Sequence, residues 1–354
     1  MNGRLRAQLE ETILPPIVAL LIAALVGDLL ILVYGQSPAA VYRLLIQGTW
    51  GNAYGLGQVL YKTTTLTFTG LAVAIGLQAG LFNIGAESQL AAGGFAAGVV
   101  GAMLPAGIPS VVLLPLFIAA AAIGGGLVGG AAGALKAKWG AHEVITTIML
   151  NFVVLALLNY LTVAHFKVFD TLHTADIRSG ALPRLSAMVP AFHGSAANVV
   201  LLLALAAVAA AWWYLYRSRA GYEWRAAGLQ PGAAEYGGVK VSRVWWQAML
   251  LSGAVAGIGG LNFVLGYKHY YEDSFASGMG FLGIAVALVG RNNPLGVFLA
   301  ALLFATLSQG GLAVNAVVPK QRVEVLQAVV IIAVATSVPE VRRLLRGARR
   351  SAAT

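Results

Sequence analysis

Long apolar runs, each about deep enough to cross a bilayer, alternate along this chain with short stretches that hold most of its charge. A helix crossing about 30 Å of hydrocarbon needs ~20 apolar residues, and fewer where other helices enclose it. Ten such segments are readable, at about 13–34, 62–80, 84–104, 111–135, 143–164, 197–216, 244–266, 279–290, 294–314 and 323–338. None has the ten-residue alternation of a membrane β-barrel strand. The pattern therefore predicts an all-α polytopic bundle of about ten transmembrane helices. It forms one domain over residues 1–354, with its core at about 60–338. The second and third segments are nearly fused, broken only at Gln78-Ala79-Gly80. The eighth is short, between Gly280 and Gly290. The first follows Arg4, Arg6, Glu10 and Glu11; its apolar run is too long for a signal peptide and no Ala-x-Ala site follows, so it is expected to remain as a helix.

Composition narrows the class. Of 354 residues, 59% are hydrophobic and only 10% charged, and the mean hydropathy is +0.80. Soluble domains carry about 25% charged residues, so a soluble enzyme and a disordered chain are both excluded. The 43 glycines have no three-residue period and lie within apolar runs, where small residues let helices approach closely. The chain has no cysteine, which excludes disulfides, thiolate–zinc sites and iron–sulfur clusters. The five histidines show no ligand spacing, so no metal site is expected.

The net charge of +10 marks orientation rather than nucleic-acid binding, because the basic residues are spread between the apolar runs. Ten spans with the N-terminus inside place 15 of the 23 Lys and Arg residues on one side. That side is then cytoplasmic, with both termini. The terminal cluster Arg342, Arg343, Arg346, Arg349 and Arg350 suits the anionic headgroup layer of the membrane lipid.

One cytoplasmic connection is longer than the rest: Arg217–Arg243, RSRAGYEWRAAGLQPGAAEYGGVKVSR. Pro231 can open a helix, since the missing N–H costs nothing in a first turn. Gly237 and Gly238 can close it. The result is about two turns, Gly232 to Tyr236, flanked by Arg225 and Lys240. Spacing alone fits either a helix that takes force from a soluble partner or a solvated loop on the headgroups.

Arg225-Ala-Ala-Gly-Leu-Gln-Pro-Gly-Ala-Ala-Glu-Tyr-Gly-Gly238 resembles the coupling-loop signature of ABC importer permeases of the branched-chain amino acid / ribose / nucleoside superfamily, with Gln230 where Asn is usual. Three further stretches resemble its nucleoside (simple-sugar) branch: Leu81-Phe-Asn-Ile-Gly-Ala-Glu-Ser-Gln89, His142-Glu-Val-Ile-Thr-Thr-Ile-Met-Leu-Asn151 and Ala287-Leu-Val-Gly-Arg-Asn-Asn-Pro-Leu-Gly296. His142 stands where Asn is commoner and Ser88 where Gly is commoner. The resemblance implies a type II-like permease that passes nucleosides by alternating access. It further implies a separate ABC ATPase that binds ATP and Mg, a second permease subunit, often a different homologous chain, and an external solute-binding protein. The location implied is a bacterial-type inner membrane. By the same resemblance, Arg225, Gly228, Pro231, Ala233, Ala234, Glu235 and Gly238 form the ATPase contact, with Ala234 expected in a docking groove. The chain has no GxxxxGK[ST] phosphate loop, and Gly124-Gly-Gly126 is expected to pack helices instead. The rivals are a monosaccharide or branched-chain amino acid permease of the same superfamily, a secondary transporter and a passive channel.

Polar side chains within apolar runs are the candidates for a solute path, because lipid penalises them unless they are partnered or wet. Asn151 lies eight residues beyond Glu143, roughly 12 Å along a helix; it fits a solute contact or an interhelical bond. Asn83 and Glu87 share a helical face. Glu87 is a plain first-turn acid if the break at 78–80 reaches the cytoplasm, and path-lining if the helix breaks within the membrane. Asn262 and Gln309 complete the set. The threonines at 63–69 can return their hydroxyls to the preceding turn. Asp28 is expected to pair with a neighbouring helix or meet water. The loop 165–196 and Tyr267–Asp273 supply the outer face on which a binding protein would dock.

Overall fold

A computed structural model describes residues 24–33 and 35–315, with positions 18, 21, 22, 325 and 328. The tenth predicted span, apart from those last two positions, and both charged tails lie outside the described residues. The elements in chain order are α1 (Ala24–Val33), α2 (Pro38–Gly48), α3 (Ala53–Gln78), α4 (Ala86–Met103), α5 (Ser110–Trp139), α6 (Glu143–Leu161), α7 (Val200–Arg217), α8 (Arg219–Leu229), α9 (Pro231–Tyr236), α10 (Val241–Gly259), α11 (Leu261–Phe263), α12 (Met279–Val289) and α13 (Pro294–Val314). Single π-turns extend α6 over Thr162–Phe166 and α11 over Val264–Lys268. Among the described residues there is no strand beyond three isolated bridges. The protein is an all-α polytopic membrane bundle.

Five of these stretches are long and apolar enough to cross a membrane by themselves: Val111–Trp139, Glu143–Phe166, Val200–Arg217, Val241–Lys268 and Pro294–Val314. α3 and α4 are long but not among them, and burial gives the reason. From Thr63 to Ile75 every residue of α3 is buried, as is α4 from Ala86 to Gly94. Helices enclosed by protein can carry Thr, Gln and Glu that lipid would reject.

The chain gathers into two compact units, Leu56–Ala305 and the two ends, Met1–Gly55 with Thr306–Thr354. In the latter, α1 and α2 meet at 114°. Ile31, Val41 and Val314 form its small core with Leu44 and Leu45, and the Tyr42 hydroxyl donates to Asp28. The segment pattern did not predict α2, although Ser37-Pro38 is a usable helix start.

In the larger unit, glycines set the distances between helices. Gly125 and Gly129 of α5 face Gly253 and Gly257 of α10, four residues apart in each pair. A Cβ at Gly257 would meet the carbonyl of Ala121 and the Cα of Gly125, and one at Gly93 of α4 would meet Gly257. Three helices thus touch backbone to backbone, the small-xxx-small geometry of membrane helices. The glycine run at 124–126 belongs to this seam.

This seam makes a prediction. Gly257→Val must push α5 from α10, and overpacking of this kind costs about 1–3 kcal/mol. Thermal unfolding in detergent should report a clearly lower midpoint. Gly232→Ala, at an exposed α9 position with nothing within 4 Å of the added methyl, should leave the midpoint unchanged or raise it.

Candidate functional site

The helix pair α3 and α4 is interrupted by a stretch with no regular structure. α3 ends at Gln78, Gly80 turns in the left-handed region at φ +75°, and α4 starts at Ala86. α6 locates this stretch in depth. Glu143, at its start, pairs with Lys136 at the end of α5 (2.9 Å). The Ile84 N–H donates to Thr147 (3.3 Å), and Asn151 bridges the segment by donating to the Ile84 carbonyl (2.9 Å) and accepting from the Ser88 N–H (3.1 Å). Thr147 and Asn151 lie one and two turns into α6, about 6 and 12 Å along it. The chain therefore turns back, and α4 begins inside the membrane.

Irregular backbone at this depth survives only when protein supplies its hydrogen bonds. The Asn83 amide donates to Gln89 (2.8 Å) and to Ser252 of α10 (2.7 Å), while its oxygen accepts from the Gly85 N–H (2.9 Å). Ser252 in turn donates to the Ala72 carbonyl of α3 (2.6 Å). Asn83, Ser88 and Gln89 have no solvent exposure. In this structure, Asn83 and Asn151 tie the break to α4, α6 and α10.

Glu87, 5% exposed, reaches across to another helix. Its carboxylate accepts from the Gly278 N–H (2.7 Å) and the Gly280 N–H (2.6 Å), at the start of α12. α12 has 11 residues, about 16 Å, so it covers roughly half a span. A half-helix leaves its first N–H groups in the membrane interior, and a carboxylate there satisfies them and suits the dipole. Gly280 has no room for a Cβ, which would strike the backbone of Glu87. The sequence left Glu87 either a first-turn acid of its own helix or a path-lining group, and gave no hint of Gly278 at the start of α12, 191 residues away.

Asn262 donates to the Tyr61 carbonyl (2.9 Å) and Thr65 (2.8 Å) and accepts from Asn198 (2.9 Å). It joins α11 to α3 and to the start of α7. Thr63, Thr64 and Thr67 return their hydroxyls to carbonyls four residues earlier. Gln309 is buried on α13.

The long connection 217–243 folds as two helices. Ser218 ends α7 and caps α8, accepting from the Gly221 N–H (2.9 Å). Sequence reading missed α8, although Ser218 was its signal. Pro231 opens α9, Gly237 follows its last residue, and Gly238 takes the left-handed conformation at φ +87°. Trp224, Ala227 and Ala234 face inward and share a cluster with Ile75, Ala79 and Val244. Ala234, expected in a docking groove, is 8% exposed and packs into this chain's own core, because α9 lies flat on α8 and α10. The outward residues are Pro231, Gly232, Ala233, Glu235 and, above all, Leu229 (85%) and Tyr236 (98%). The Arg225 guanidinium lies over the Tyr216 ring at 5.1 Å. Gly228 packs against the backbone of Gln78–Gly80, and a Cβ on Gly80 would sit 3.0 Å from the Gly228 Cα. Gln78 also donates to the Asn292 carbonyl beyond α12 (2.9 Å). The segment and the start of the membrane break are thus in direct contact.

At the other end of α6 from Glu143, the loop after α6 lies along the connection before α12. The Thr174 N–H donates to the Tyr271 carbonyl (2.9 Å) and the Ile177 N–H to that of His269 (2.8 Å). His173 stacks on Tyr270 at 4.1 Å. Phe169 is 93% exposed.

Comparison with known proteins gives consistent matches. The family described as branched-chain amino acid transport system / permease component matches residues 55–335. The chain is 37% identical to the guanosine ABC transporter permease protein NupP of Bacillus subtilis, over 92% of this chain and 93% of that protein. It is 35% identical to the glucose ABC transporter permease protein TsgB13 of Haloferax volcanii (91% and 87%). It is 32% identical to the nucleoside ABC transporter permease protein NupB of Lactococcus lactis (95% and 92%). No solved structure matches it.

The bridging amide is testable. Asn151→Ala leaves the Ile84 carbonyl and the Ser88 N–H without their partner, and each unpaired buried group costs about 1–3 kcal/mol. Thermal unfolding in detergent should fall accordingly. Glu87→Gln turns one acceptor toward the α12 N–H groups into a donor and should also lower the midpoint, whereas Thr64→Val, which removes only a local back-bond, should lower it least.

Proposed function

We propose that this chain, which belongs to the branched-chain amino acid transport system / permease component family, is the membrane-spanning permease subunit of an ATP-driven ABC importer for nucleosides. The observation that carries the solute is the 37% identity, over nearly the full length of both chains, to a permease named for guanosine. NupB, named for nucleosides, supports it. The similarity to TsgB13, named for glucose, supports a monosaccharide as the second reading. The chain is a multi-pass membrane protein. The Lys and Arg bias supports an inner-membrane setting with both termini in the cytoplasm.

The transport subunit does not hydrolyse ATP in this reading. A separate ABC ATPase binds ATP and Mg and docks on α8 and α9. Leu229 and Tyr236 support this contact, because large apolar side chains standing free on the aqueous side mark interaction sites. A second, homologous permease subunit completes the path, and an external solute-binding protein docks on the outer loops near Phe169. Movement of α9 is passed through Gly228 to Gly80, along 81–85 to Glu87, and from there to α12. Such a relay shifts an equilibrium between two states only if the ATPase fits α9 differently in each. Asn83, Glu87, Asn151, Asn262 and Gln309 remain our candidates for groups along the path or supporting it.

The test is uptake by membrane vesicles of the assembled transporter with ATP inside. Guanosine should enter and compete with other nucleosides; entry of glucose alone would favour the second reading. Within the docking surface, Tyr236→Asp should weaken co-purification of the ATPase by roughly thirtyfold, as for an interface anchor worth ~2 kcal/mol. Glu235→Ala should cost only ~0–1 kcal/mol. Ala234→Asp should instead lower the yield and thermal midpoint of the permease itself. A Tyr236→Asp variant with full ATPase binding and uptake would show that α9 is a surface loop.

A further inference from the structure

Beside Glu87 the larger unit holds a cavity of about 430 Å³. Its polar lining is Glu87 of α4, Asn159 of α6, and Asp273, Ser274 and Ser277 from the connection before α12. Asn159 donates to Asp273 Oδ2 (2.9 Å), and Ser274 donates to the same oxygen (3.3 Å). Asp273 Oδ1 keeps its acceptor capacity. Ser277 donates to the Ser274 carbonyl (2.9 Å), and its hydroxyl oxygen has lone pairs with which to accept. Glu87 forms the inner end, held in place by the α12 N–H groups.

The surroundings of this cavity decide what fills it. Asn159, Ser274 and Ser277 are exposed. Asn159 lies 16 residues beyond Glu143, about 24 Å along α6, still within a core about 30 Å thick. Its neighbours on α6, Phe152, Leu157 and Tyr160, are exposed and largely apolar. An exposed amide, two hydroxyls and a carboxylate at this depth are not compatible with acyl chains. They are compatible with a water-filled path. The cavity is rich in acceptors, and both its carboxylates already accept from neutral donors, Glu87 from the Gly278 and Gly280 N–H groups and Asp273 from Asn159 and Ser274, so the chemistry it fits is a neutral donor of several hydroxyl hydrogens.

We propose that this cleft is a binding station on the solute path, with Asp273, Asn159 and Ser277 taking the hydroxyl groups of a neutral polyhydroxylated solute. The ribose of a nucleoside and a monosaccharide share that chemistry. The inference rests on the reading of the chain as a permease.

Because the chain has no cysteine, one introduced thiol reports on the cleft without background. Ser277→Cys is assembled with its ATPase, second permease and solute-binding protein, and labelling is read on this chain by mass. A charged, membrane-impermeant maleimide should react from outside. Guanosine or glucose, whichever the transporter takes up, should slow that reaction about tenfold when present at ten times its Kd. Ser274→Cys gives the same reading from another part of the wall should Ser277→Cys fail to assemble. Labelling that is unchanged by a solute the complex demonstrably transports overturns the station and leaves the transport function standing. Reaction only with a lipid-soluble maleimide also overturns it, as the cleft is then filled by acyl chain. If the unmodified complex takes up neither guanosine nor glucose with ATP, the permease reading for hydroxylated solutes falls and the station falls with it.

Discussion

A backbone that leaves its helix inside a membrane must find partners for every N–H and C=O, and this requirement organises the larger unit. Five residues between Leu81 and Gly85 run without regular structure beside α6. Side chains supply the partners: Thr147 and Asn151 of α6 take the Ile84 N–H and carbonyl, and Asn83 takes the Gly85 N–H while Gln89 of α4 and Ser252 of α10 hold its amide in place. The second interruption, before α12, is met by the Glu87 carboxylate. Each group is costly to bury alone and acceptable when paired. Among the described residues, Asn83, Glu87, Ser88, Gln89, Thr147, Asn151 and Ser252 are buried around the two breaks.

The glycine seam serves the same arrangement. With backbones of α4, α5 and α10 in contact, side chains as short as Ser252 and Asn83 can span between helices. Bulkier residues along Gly125, Gly129, Gly253 and Gly257 would move the donors out of reach. Close packing and polar satisfaction are thus one design, in which the first sets the distances the second requires.

Much of the fold was legible because lipid imposes a length and a polarity on each crossing segment. α5, α6, α7, α10 and α13 fall where the apolar runs lie. α2 and α8 escaped because they are short and mixed in character, with only Ser37-Pro38 and Ser218 to announce them. The helix at Pro231 was readable from proline and glycine alone. The site was legible as residues but not as geometry. Asn83, Glu87 and Asn151 stood out as polar groups in apolar runs, yet nothing local could pair Glu87 with Gly278 or Asn151 with Ile84. Ala234 shows the same limit: a motif position carries no sign of which way its side chain faces, and here it faces inward. Asn159 and Asp273, which define the cleft, are unremarkable in sequence because each gains its meaning from the other.

The contact of Gly228 with Gly80 has a mechanical consequence. Two backbones that touch without intervening side chains have no rotamers to absorb a displacement, so the joint has little compliance. A displacement of the Gly228 segment, were one imposed, would reach Gly80 at the start of the break with little loss. The compliant part of the linkage is then the aqueous end, where Leu229 and Tyr236 stand free and can change rotamer. If an ATPase docks there as we propose, slippage, in which ATP is spent without movement of the permease, arises at that protein–protein joint rather than within this chain.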